Sequence, residues 1–196
     1  MGYLMDILGT AAIVAMVFYL NVAVGKKGVA GKLSAGLAMF QSLVVFGAAV
    51  CEMILLGNLA KNETLSLFFA TIGLSGILLF SGFIILGYYR ERLLAHPEEF
   101  FLQDEDVVFK KSYLFGGVVS FIGFGILLAG GGLANVVMNL VGDRQGVIYG
   151  LLALSPLLIA IFLFVKYRKW AMCYLLKELK EHGVLIEKNT SDEKHD

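Results

Sequence analysis

The sequence predicts an all-α integral membrane protein of five transmembrane helices, with the N-terminus outside and the C-terminus cytoplasmic. Three observations carry this. The 196 residues have a mean hydropathy of +0.79 and are 58% hydrophobic but only 16% charged, against roughly a quarter charged in an average soluble domain. Five runs reach the roughly twenty apolar residues a spanning helix needs, over residues 4–24, 33–57, 64–89, 113–140 and 147–165. Finally, the Lys and Arg residues fall on alternate sides of these runs, as the bias toward basic cytoplasmic loops requires.

The basic residues decide the orientation. Lys26, Lys27 and Lys32 separate the first two runs; Arg90, Arg92, Lys110 and Lys111 separate the third and fourth; seven more follow the fifth, from Lys166 to Lys194. The opposite side holds Lys61 and Arg144 alone. Multi-pass insertion in a bacterial cytoplasmic membrane is the expected location. The first run has no basic segment before it, so a retained span is expected rather than a cleaved signal peptide.

The first span carries Gly9, Ala11, Ala12 and Ala15, with Asp6 at its outer end and Asn21 at its inner end. Both polar residues are expected to meet water or headgroups. Spans two and three resemble spans four and five: Asn58 aligns near Asn139, and Tyr89-Arg90 lies against Tyr167-Arg168. Two such hairpins would be related by an axis along the membrane normal.

Small residues set how closely helices approach in lipid. Span two offers Ser34, Ala38 and Ser42. Span four offers Gly116, Ser120, Gly123 and the run Gly130-Gly131-Gly132. Span four is expected to be the most closely packed helix, and its glycines to serve packing rather than to unwind it. Pro156 should bend span five.

The linker 90–111 opens as an extension of span three, which Pro97 should end near His96. Phe100, Phe101 and Leu102 are expected along the membrane interface, and Val107 to Phe109 as a short strand. Arg90, Arg92, Lys110 and Lys111, with Lys166, Arg168 and Lys169 after span five, are placed for lipid headgroups. A cytoplasmic helix over 166–182 carries the apolar stripe Met172, Leu175, Leu176 and Leu179 opposite charged residues. Its cover is open from sequence: membrane, linker, a second copy or a partner. Gly183 should stop it, leaving 183–196 as a polar, disordered tail.

The chain contains no HExxH, CxxC, GxSxG or phosphate-binding glycine loop. No catalytic residue, metal or cofactor is expected, and a net charge of zero gives no field for direct nucleic-acid binding. Cys51 and Cys173 are expected as unpaired thiols. The bilayer centre has no Asp, Glu, His, Lys or Arg, which disfavours a proton-relay transporter. Glu52 is the one acidic residue well inside a span, and an intramembrane carboxyl is costly unless paired, hydrated or protonated. Asn135 and Asn139 match its depth, so an outward-facing polar pocket of these three is a candidate.

Two readings of function follow. In the first, the chain is a non-enzymatic subunit that self-associates through its small-residue helices. It presents the linker and C-terminal helix to a cytoplasmic protein partner, as membrane anchor or sensor. In the second, it forms an oligomeric channel or small-solute transporter with its mouth at Glu52, Asn135 and Asn139.

Overall fold

A computed structural model describes residues 2–59, 62–103, 106–109, 113–141 and 147–184. The described residues form five long helices and one small hairpin: α1 (Gly2–Val29), α2 (Ala35–Asn58), α3 (Glu63–Ala95), a 3-10 turn (Pro97–Glu99), β1 (Phe100–Gln103), β2 (Asp106–Phe109), α4 (Tyr113–Val141) and α5 (Val147–Glu181). All five helices are long and apolar enough to cross a membrane. Lys61, Arg144, Lys110, Lys111 and the tail from Leu185 lie outside the described residues, as do the surroundings of Gly116 and Ser120.

Helix lengths explain the architecture. At 1.5 Å per residue, α3 and α5 are each about 50 Å long, some 20 Å more than a hydrocarbon core of about 30 Å. Their C-terminal ends therefore project at one end of the bundle, where the hairpin joins them. The linker is cut where Pro97 dictates: α3 ends at Ala95, and the His96 amide closes on the Arg92 carbonyl. Glycines end two helices. Gly31 (φ 72°) and Gly183 (φ 65°) take the left-handed conformation that lets Lys32 N–H reach Lys27 O and Val184 N–H reach Leu179 O.

Helix α3 is central, contacting α1, α2 and most extensively α4, while α5 packs on α4. Its core holds Val45, Ala49, Ile77, Leu78, Phe121 and Ile122. The close approach of α3, α4 and α5 depends on glycine. A Cβ would collide with Ile122 at Gly82, with Leu79 at Gly125, with Thr71 at Gly132, with Phe164 at Gly123 and with Ala160 at Gly130. Helix α4 is continuous through Gly130–Gly132; Gly130 and Gly132 serve packing, while Gly131 has open space beside it. Gly123, Gly125, Gly130 and Gly132 are thus taken up by contacts within the chain. In α2 the three small residues play other parts. Ser34 is the N-cap, accepting from Leu37 N–H at 3.2 Å, and the half-buried Ser42 donates to the Ala38 carbonyl at 3.0 Å.

Helix α5 runs through Pro156 without interruption. Proline cannot donate to the carbonyl four residues back, here Leu152, and the Ser155 hydroxyl donates to that oxygen at 2.7 Å. A neighbouring hydroxyl is one of the few ways to satisfy such a carbonyl inside a membrane. Ser155→Ala should destabilise the protein by about 1 kcal/mol, read as a lowered midpoint of detergent-induced unfolding.

Candidate functional site

Among the described residues, three groups of polar side chains stand out. The first joins α1, α2 and α3 toward the end where the hairpin lies. Asn21 donates through Nδ2 to Ser81 Oγ at 2.9 Å, and its Oδ1 accepts from Gln41 Nε2. All three are buried, Asn21 and Ser81 completely. Asn21 thus does not meet water or headgroups as its position near a span end suggested, because its face of α1 turns inward. A second cross-helix bond runs from Ser75 Oγ to the Gly125 carbonyl, at 2.6 Å.

The second group centres on Glu52, which is 4% exposed. Glu52 borders a groove of about 300 Å³ lined otherwise by residues of α1 and α3. Thr10 of α1 stands beside it, yet neither Thr10 Oγ1 nor Glu52 Oε2 completes a hydrogen bond among the described residues. Asn135 and Asn139 do not border the groove. They bond to each other along α4, Asn139 Nδ2 reaching Asn135 Oδ1 at 2.8 Å and its carbonyl at 3.0 Å. Glu52 turns toward α1 and α3, while Asn139 is exposed. Among the described residues, Glu52 and the two asparagines do not line one groove.

The third group is a polar cap at the projecting end. Hairpin strands pair antiparallel, Phe100 with Phe109 and Leu102 with Val107. Strand β2 covers the segment expected from sequence, whereas Phe100 to Leu102 form its partner strand instead of lying on the interface. Pairing turns Phe100 inward, and its ring meets Tyr89 edge-on at 5.3 Å. Tyr89 and Leu93 of α3, Phe100 and Val107 of the hairpin, and Met172, Leu175 and Leu179 of α5 form one buried core. Of the covers left open by sequence, the stripe takes this chain's own linker, together with α3, and only Leu176 remains half-buried at its edge.

Charges close the cap. Arg92, 4% exposed, grips the Glu99 carboxylate through Nε at 2.6 Å and Nη2 at 2.7 Å. Its Nη1 donates to the Gly28 carbonyl at the end of α1, where the helix dipole favours a cation. Arg92 is thus an internal staple and not a headgroup ligand. Its neighbour Arg90 pairs with Glu178 of α5 at 2.6 Å. The Arg90 guanidinium, donating to it, holds the Glu178 carboxyl below the ordinary carboxylate range.

Lys166, Arg168 and Lys169 are exposed at the start of the α5 projection, beside Trp170, which is itself exposed and stacks on Tyr174 at 5.9 Å. This is the arrangement of an interfacial belt with basic neighbours. Cys51 and Cys173 are free and exposed. Sequence reasoning missed Gln41, Ser81 and Thr10. Gln41 carried a signal, as a lone amide inside the apolar run LAMFQSLVV; two hydroxyls among many did not. No protein-family model, curated protein or solved structure matches this chain.

Proposed function

We propose that the protein is a non-enzymatic multi-pass membrane subunit that presents its polar cap to a cytoplasmic protein partner, as an anchor or sensor. The observation that carries this reading is the cap core. Two helices continue from apolar spans into it and share a buried core with the hairpin, so the cap is a continuous extension of those helices. In this reading, a tilt of α3 or α5 in lipid would reach the cap surface through that shared core. The reading keeps the self-associating subunit; with Gly123, Gly130 and Gly132 taken up within the chain, self-association would use other faces.

Orientation belongs to the same proposal. Lys26 and Lys27 close α1 at the end where Arg92 reaches Gly28, and Lys166, Arg168 and Lys169 lead into the cap. This concentration of bases supports a cytoplasmic cap with the N-terminus outside, in a bacterial inner membrane. With the apolar stripe covered, the partner would meet exposed charged residues such as Lys177 and Glu181.

Extraction with native lipid, followed by mass measurement of the intact particle, tests the proposal. A stoichiometric cytoplasmic companion that is lost on Lys177→Glu with Glu181→Lys supports it. A homo-oligomer without a companion, conducting in liposomes, would sink it in favour of the channel reading.

A further inference from the structure

The groove beside Glu52 is open sideways. Its rim carries Val14 of α1 and Phe80 of α3, 40% and 38% exposed, so in a bilayer it opens toward acyl chains. Val17 and Ile77 wall it farther in. Two glycines of α3 shape it: Gly76 has open space where a Cβ would stand, and Gly73 lets the Glu52 side chain and Leu56 approach closely. The lining is apolar apart from one carboxyl, whose Oε2 has no hydrogen-bond partner among the described residues.

A buried carboxyl oxygen without a hydrogen-bond partner is costly in hydrocarbon, and Glu52 lines this open groove. We infer that the groove is a lateral binding site for a lipophilic primary ammonium, whose N–H groups bond to Glu52 while its apolar body lies between α1 and α3. Charge complementarity selects the headgroup, because a charge-assisted bond is what Glu52 lacks. Size selects the body. About 300 Å³ is at the small end of ligand pockets and holds a headgroup with its first methylenes, the remaining chain extending into lipid. Two turns of a helix about 10 Å across enclose roughly 800 Å³, too much for a second copy to be seated there. The site stands apart from the cap, so its failure would leave the proposed function untouched.

The test uses the full chain in phosphatidylcholine nanodiscs with dodecylamine carrying a diazirine on its chain. Labelled peptides are mapped, with plain dodecylamine and dodecanol as competitors. Labels should fall on α1 and α3 around Val14, Val17 and Phe80, and dodecylamine should compete at roughly tenfold lower concentration than dodecanol. Glu52→Gln should erase that difference. Gly76→Leu, which fills the groove but keeps the carboxyl, should reduce labelling several-fold. Equal competition by amine and alcohol on the unaltered protein overturns the inference, whatever the variants do. So does labelling spread evenly over the exposed face of α5, or an unchanged preference in Glu52→Gln that elutes as the unaltered protein does.

Discussion

Leu175→Glu should detach the hairpin from the bundle while leaving the membrane helices assembled. Leu175 is fully buried in the cap, facing a core supplied by α3 and the linker. Removing a buried leucine alone costs about 2–5 kcal/mol, and a carboxylate in its place has no cation assigned to it, so the loss should reach at least about 4 kcal/mol. Limited proteolysis should then cut between Phe100 and Phe109, where the unaltered chain resists. Cys173→Ser, two positions away but exposed, should stay within about 0.5 kcal/mol. Were Leu175→Glu to leave the hairpin protected, the stripe would be free for a partner after all.

The stripe shows where sequence reading stops. Run length locates all five helices, because hydrocarbon thickness imposes a minimum that composition reveals directly. Local chemistry also marks the ends: Pro97 beyond α3 and Gly183 beyond α5 behave as their backbone constraints demand. The cover of the stripe is a contact between segments some seventy residues apart, and no local signal encodes it. Phe100 to Leu102 illustrate the same limit. Three apolar residues suit an interface or a strand equally, and the pairing with β2 decides.

Rotation about each helix axis is the larger loss. Sequence counts give depth, which placed Glu52, Asn135 and Asn139 at one level. They do not give azimuth when a helix is apolar on every side, as these are. Glu52 turns to α1 and α3, the asparagines turn elsewhere, and Asn21 turns inward to meet Gln41 and Ser81. Glycine is ambiguous for the same reason: spacing shows that α4 can be approached closely, and only the neighbours Leu79, Thr71 and Ala160 show that α3 and α5 are what approaches it.

Arg92→Ala should be the most damaging single change among the charges. One guanidinium joins three segments: its own helix α3, Glu99 in the 3-10 turn and the Gly28 carbonyl that ends α1. Truncation leaves a carboxylate without its fork of donors and a helix-terminal oxygen without its cation. For a fully buried pair such a loss is about 3–5 kcal/mol. Glu99 keeps some access to water, with 28% of its side chain exposed, so roughly 2–4 kcal/mol is expected. Unfolding titrations in detergent should show the shift, and a thiol placed at Lys27 should react faster as the end of α1 loosens. Arg92→Lys should recover only part of the loss, since a single ammonium cannot hold both carboxylate oxygens in a planar fork and reach Gly28 as well. Full recovery by lysine would mean that charge alone, and not the three-way geometry, ties α1 to the cap.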